Sequence, residues 1–260
     1  MATGAMNGQL WGSRARDWAD IQEATVARVY DAVFAVTQLG PKARYADLGC
    51  GSGLAAMKAA ALGATVSGLD AAEPLLAIAR HRVPVGDFRL GDLESVPFGD
   101  AAFDLTTGFN AFQYAADPIA ALREARRITR PGGTVVVMTW GEPDTMAAAS
   151  LVAALKPLLP PAPPGAPGPF ALSSREAIIA FAEKAGLTTH RILDVESPWH
   201  YADLATALRG LDSSGVAERA RGQSGADVVT AAHRAALEPF RQADGAYTIG
   251  AWFRCLFATV

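Results

Sequence analysis

The run Asp47-Leu48-Gly49-Cys50-Gly51-Ser52-Gly53 sets an acid just ahead of three glycines at alternate positions. Glycine lets a chain turn sharply and brings bare backbone against a ligand. The alanine-rich stretch Leu54–Leu62 reads as a helix starting after that turn, with its amide groups and positive dipole end facing the same place. Gly49, Cys50, Gly51 and Gly53, with Asp47 beside them, therefore form a candidate ligand cradle. Two further acids follow. Asp70, next to Ala71, closes the following apolar run about twenty residues on, where a carboxylate can accept from both hydroxyls of a ribose. Asp92, next to Leu93, stands just past a third short run. A glycine turn and two acids thus fall at consecutive strand ends, the edge at which open α/β sheets bind ligands. A dinucleotide fingerprint G-x-G-x-x-G read from Gly49 needs glycine where Leu54 stands, so the spacing is G-x-G-x-G instead.

The elements that must position these residues alternate between strand and helix. Arg44–Leu48, Thr65–Leu69, Asp87–Gly91, Phe103–Gly108 and Gly133–Thr139 read as strands, with helices over Leu54–Leu62, up to Arg80 and over Pro118–Ile128. That alternation predicts a parallel sheet with helices on both faces, a Rossmann-like doubly wound α/β fold. Ahead of it, Trp18, Ile21, Val29, Ala32 and Val36 share one face at helical spacing and predict one or two amphipathic helices ending at Gly40-Pro41. Beyond Trp140, Thr145–Lys156 reads as helix, and Pro157–Phe170 then holds seven of the sixteen prolines. Such a stretch favours extended backbone and suits either a linker or a cap over a cleft. A helix from Ser173 or Ser174 to Gly186, a strand at Arg191–Val195, helices near Tyr201–Leu211 and Gly225–Arg241, and an apolar run Tyr247–Val260 complete the pattern. The expected organisation is a helical arm over residues 1–40 and one domain over 41–260, with a proline-rich cap segment at 141–172 and a helical insert at 200–245.

Composition narrows the function. With 260 residues, 50% of them hydrophobic and 19% charged, the chain has material for a large core and is not of disordered type. The 23 basic and 26 acidic residues give a net charge of −3, which leaves no basic excess for a phosphate backbone, so no nucleic-acid partner is expected. Arg123, Arg126, Arg127 and Arg130 precede a Pro-Gly-Gly turn at a helix end and read as a solvated face. Two cysteines, Cys50 and Cys255, cannot build a disulfide scaffold, and the first residues resemble neither a leader peptide nor a membrane anchor. A cytoplasmic protein without membrane insertion is the expectation.

Asp47–Gly53, Asp70, Gly91-Asp92-Leu93, Phe103-Asp104-Leu105 and Arg130-Pro131-Gly132-Gly133 together resemble the class I S-adenosylmethionine-dependent methyltransferases over residues 42–140. The small-molecule group that includes the ubiquinone and menaquinone biosynthesis methyltransferases is the nearest in flavour. The resemblance implies S-adenosyl-L-methionine as cofactor and a seven-stranded sheet of order 3-2-1-4-5-7-6 with an antiparallel last strand, here Tyr247–Val260. It further implies that the glycine turn lies against the methionine moiety, whose ammonium Asp47 helps to hold. Asp70 with Ala71 then grips the ribose, Asp92 and Leu93 take the adenine, and Phe109 and Asn110 sit beside the sulfonium and the acceptor.

Methyl transfer from a sulfonium is an in-line displacement, so alignment and exclusion of water matter more than a catalytic triad. The segment Gly108-Phe109-Asn110-Ala111 lacks the Asn/Asp-Pro-Pro-aromatic signature of nitrogen methyltransferases acting on nucleic acids and proteins, which with the charge balance points to a small-molecule acceptor. Phe112, Tyr114, Trp140, Phe170, Trp199, Tyr201 and Tyr247 are candidate liners of its pocket. Four histidines share no metal-ligand spacing, so no metal is expected. His200, between Trp199 and Tyr201, is the candidate general base, against a bland reading as a surface histidine. Trp11, Trp18 and Tyr30 either anchor the arm or close over the cofactor. A cofactor-binding protein without catalysis and a nucleotide-dependent oxidoreductase stand as the alternatives.

Overall fold

A computed structural model describes residues 4–161 and 168–260; residues 162–167, the middle of the expected proline-rich cap, lie outside the described residues. Helices α1 (Gly4–Gly12) and α2 (Ala15–Asp17) lead into a π turn at Trp18–Gln22, a 3-10 turn at Glu23–Val26 and helix α3 (Ala27–Thr37). The expected amphipathic face is interrupted here. Gln22 and Glu23 turn inward, while Ile21 is only partly buried. Buried polar groups need partners. The Tyr201 hydroxyl donates to Gln22 Oε1 at 2.8 Å, and Glu23 takes Ser52 and Arg82.

Strand β1 (Arg44–Leu48), helix α4 (Leu54–Ala61), strand β2 (Thr65–Asp70), helix α5 (Glu73–Arg82), strands β3 (Asp87–Leu90) and β4 (Phe103–Phe109), helix α6 (Pro118–Ile128) and strand β5 (Thr129–Trp140) build the wound half. Helices α7 (Ala149–Leu155) and α8 (Arg175–Lys184) follow, then strands β6 (Thr188–Glu196) and β7 (Trp199–Tyr201), helices α9 (Leu204–Leu211), α10 (Gly215–Ser224) and α11 (Ala226–Leu237), and strands β8 (Tyr247–Ile249) and β9 (Trp252–Thr259). The main sheet runs β3-β2-β1-β4-β5-β9-β6, parallel from β3 to β5, with β9 antiparallel to both its neighbours. With β9 as seventh strand of this sheet, that is the expected order.

A parallel sheet is covered on both faces, so its central strands are apolar throughout, as at Val135–Met138. Alternate residues feed two cores. Tyr45 and Met138 pack with α3, α4 and α5 on one side, and Leu48 and Val137 with α6 and α8 on the other. Asp117 caps α6 by accepting from the amides of Ile119 and Ala120, with Pro118 fixing the first turn.

Three expectations for the last third change. The terminal apolar run breaks at Gly250-Ala251, so that β8 leaves the main sheet and pairs with β7 in a two-stranded sheet. Tyr201 lies in β7 rather than at the start of a helix. Gly215–Ser224 forms a helix that its polar sequence hides. No helix among the described residues is long and apolar enough to cross a membrane.

Candidate active site

The β1–α4 turn is built by glycine geometry. Gly49, Gly51 and Gly53 all hold positive φ, at 76°, 53° and 80°. A Cβ at Gly49 would lie 2.5 Å from Ala111 Cβ, and one at Gly53 would lie 2.8 Å from Ala79 Cβ, so neither position admits a side chain. The amides of Gly49 and Cys50 donate to Leu69 O at 2.7 and 3.0 Å, which ties the turn to the end of β2. Cys50 is buried, and burial pushes its thiol well up, so the residue fills space.

Carboxylates gather around this turn. Asp47 is buried at the end of β1 and accepts from Thr107 Oγ1 at 2.8 Å, and Thr107 in turn meets the Tyr45 hydroxyl at 2.7 Å. Burial pushes Asp47 up to about 7, with the charges of Glu23 and Asp70 adding to the rise. Asp70 accepts from Gly51 N and Ala72 N, each at 2.8 Å, and burial raises it as well. Glu23 reaches the turn from the arm. It accepts from Ser52 Oγ at 2.5 Å and pairs with Arg82, yet burial still raises its carboxyl. Arg82 also donates to Ser52 O at 3.0 Å and Ala19 O at 2.8 Å. Three carboxylates thus gather at this turn, of which only Glu23 among the described contacts meets the Arg82 guanidinium, and a ligand bearing positive charge would relieve the imbalance.

Farther along the same edge, Asp92 accepts from Gly4 N at 3.0 Å and Glu94 N at 3.1 Å, and Leu93 packs partly buried against the second core. Phe109 stacks edge-on with Tyr30, ring centroids 4.6 Å apart. Asn110 sits in the left-handed region at φ 53°, donates its amide to Met138 O at 3.1 Å, and accepts from Gln113 Nε2. Trp18 Nε1 lies 3.4 Å from where a Gly51 Cβ would be, and Trp11 meets Trp18 and Tyr114 edge-on at 5.0 and 5.4 Å.

The structure therefore brings Asp47, Gly49, Cys50, Gly51, Gly53, Asp70 and Ala71 to one turn, with Asp92 at the next strand end. It does not bring His200 to them. Alternation along β7 buries Trp199 and Tyr201 and turns His200 out to solvent, where its Nδ1 meets Thr248 Oγ1 at 3.2 Å. Of the expected liners, Trp140 joins Phe170, Trp199 and Phe253 in a ring cluster, with centroids 6.3, 5.9 and 5.1 Å away. Sequence reading missed Glu23, Arg82 and Thr107. No signal marked Glu23, an acid in a helical pattern. Gly4, Gly8 and Gly12, also missed, did carry one: a four-residue spacing that stacks three glycines on a single helix face.

An adenosyl sulfonium cofactor fits this residue set. Its sulfonium and ammonium bring positive charge to the carboxylate excess, its diol suits the acid closing β2, and its backbone-hugging chain suits a turn without side chains. Among the described residues no group of His, Cys, Asp and Glu is arranged to hold a metal.

Residues 46–137 match the family model described as "Methyltransferase domain". A malonyl-[acyl-carrier protein] O-methyltransferase of Erwinia billingiae is 34% identical over 180 residues, covering 69% of this chain and 67% of that protein. A second, from Serratia marcescens, is 35% identical over 127 residues, and there the chain spans only 50% of the relative's length. Among solved structures, a SAM-dependent methyltransferase from Aquifex aeolicus superposes with TM-score 0.53 at 16% identity, over 70% of this chain and 92% of that one. The [4+2]-cyclase SpnF superposes with TM-score 0.58 at 22% identity, over 90% and 80%. At those identities the two structures speak for the fold alone, and the cyclase shows that the fold hosts more than one chemistry. The matched family model and the Erwinia relative place the chain among the class I S-adenosylmethionine-dependent methyltransferases.

Proposed function

We propose that the enzyme passes the methyl group of S-adenosylmethionine in line to a small-molecule acceptor, residues 41–260 forming the transferase domain and the residues before them an arm upon it. The excess of carboxylate over guanidinium at the glycine turn carries this reading. In it, Asp47 faces the methionine ammonium, and the backbone of Gly49, Cys50, Gly51 and Gly53 lies along the methionine chain. Asp70 and Ala71 take the ribose, Asp92 and Leu93 the adenine, and Phe109 and Asn110 border the sulfonium. The cofactor supplies an already activated methyl group. The chain's own task is to align acceptor and methyl and to exclude water, which the stacked Tyr30 and Phe109 serve.

The acceptor side draws on Trp140, Phe170 and Trp199. The indole Nε1 of Trp199 is buried with no hydrogen-bond partner among the described residues, so an acceptor presenting a carbonyl or carboxyl oxygen beside a flat or apolar body suits it. The relatives named for malonyl-[acyl-carrier protein] favour a second reading, a carboxyl group carried as a protein-bound thioester. A carboxylate is already ionised at neutral pH and needs no base, and the outward-facing His200 is left out of the proposal.

Calorimetric titration with S-adenosylmethionine, S-adenosylhomocysteine and NAD tests the cofactor assignment, and labelled-methyl transfer to a panel of free acids, phenols and malonyl thioesters tests the acceptor. Binding of the adenosyl ligands alone, followed by labelling of a free acceptor, is the expected result. NAD binding overturns the first part, and labelling confined to a carrier-protein thioester replaces the small-molecule acceptor with the second reading.

A further inference from the structure

We infer that helix α1 is a self-occluding lid: it docks its glycine face on the β2–β3 edge assigned above to adenosine, so that helix and adenosine exclude one another. The inference rests on that assignment of Asp70, Ala71 and Asp92.

The contact is backbone against backbone. A Cβ at Gly8 would lie 2.0 Å from Ala71 O and 2.8 Å from Ala71 C, so the helix sits directly on the turn that follows Asp70. One turn earlier, Gly4 N donates to Asp92 Oδ2 at 3.0 Å, where a purine amino group is assigned. One turn later, a Cβ at Gly12 would meet the Pro74 ring at 3.1 Å. Residues four apart stack on one helix face, so all three glycines belong to the same docking surface. A flanking side is pinned as well. Asn7 Nδ2 donates to Tyr114 O at 2.9 Å, and Trp11 packs so tightly on α10 that a Cβ at Gly215 would lie 2.6 Å from its Nε1.

Helix α1 has nine residues, three of them glycine, and a helix this short and glycine-rich has little stability of its own. It is helical because it is docked, and undocking dissolves it. A ligand that needs the same edge therefore reads an apparent affinity reduced by the fraction of molecules in which α1 is away.

Two measurements on the full chain test this. In the first, hydrogen exchange over residues 4–12 is followed with and without S-adenosylhomocysteine. Faster exchange in the complex is expected, whereas slower exchange shows a lid that closes over the ligand and overturns the inference. In the second, Gly8→Ala sets a methyl group against Ala71 O and drives α1 off the edge. Its affinity for S-adenosylhomocysteine should rise about tenfold or more, the gain expected when the competent state is a minor one. An unchanged or weaker affinity also overturns the inference. Failure of the wild type and of Gly8→Ala alike to bind S-adenosylhomocysteine overturns the cofactor assignment itself, and the lid with it.

Discussion

The charge networks around Arg254 and around the glycine turn differ in balance. At the far side of the main sheet, Arg254 grips Asp194 with two hydrogen bonds of 2.8 and 3.0 Å, reaches Glu142 at 3.0 Å, and donates to Ser173 O. Arg175 adds a second guanidinium on Asp194, so two cations face two anions. The Arg254 hydrogen bonds hold Asp194 below the usual carboxylate range. At the glycine turn, Glu23 pairs with Arg82, while Asp47 is held by Thr107 and Asp70 by the amides of Gly51 and Ala72, and all three carboxyls are raised. A balanced network closes on itself and holds strands together. An unbalanced one keeps carboxylates short of positive charge, which is what a cationic ligand can use.

Substitutions separate the two. Asp70→Ala frees the Gly51 amide at the glycine turn and the Ala72 amide ahead of α5 and removes the assigned ribose partner; affinity for S-adenosylhomocysteine should fall about a hundredfold or more by calorimetry. Full retention of affinity would break the contrast at its centre. Arg254→Ala should instead cost about 2–3 kcal/mol of stability in urea denaturation, with ligand affinity unchanged. A smaller effect comes from Asp47. Its carboxyl rises from 3.8 to about 7 on folding, so the folded state holds the extra proton between those values. The contribution favours the fold at low pH and is lost as pH rises through about 7. Asp47→Asn should therefore lose less stability than wild type between pH 5 and pH 8, measured as the difference between their denaturation curves. For the same reason S-adenosylmethionine should bind wild type more tightly as pH rises through about 7, a slope absent in the variant. His200→Ala should change least, within about 0.5 kcal/mol of stability and with unaltered binding, because the ring is exposed against Thr248. A fall in turnover without a fall in affinity would return His200 to the acceptor side.

The wound half was legible because its signals are local. Glycines at positive φ, acids at strand ends and apolar runs such as Val135–Met138 all state their role within a few residues. The arm was not. Glu23 and Gln22 are buried only because Arg82, Ser52 and Tyr201, all distant in sequence, supply their partners. Polarity hid the α10 sequence GVAERARGQS, whose buried face is only Gly215, Ala217 and Ala220. One residue of register decided His200: on a strand of period two, burial of Trp199 and Tyr201 forces the residue between them outward.

Strand β9 lies between β5 and β6 in space yet follows both in sequence. During synthesis, β5 and β6 therefore emerge with bare edges facing a gap that only Trp252–Thr259 can fill. Open strand edges invite pairing with other chains. The ribosome must release more than a hundred residues after β5, from Gly141 to Trp252, before that gap can close. A translation arrest between Glu196 and Trp252 should leave β6 unjoined to the rest of the sheet, a state whose hazard is aggregation more than lost activity.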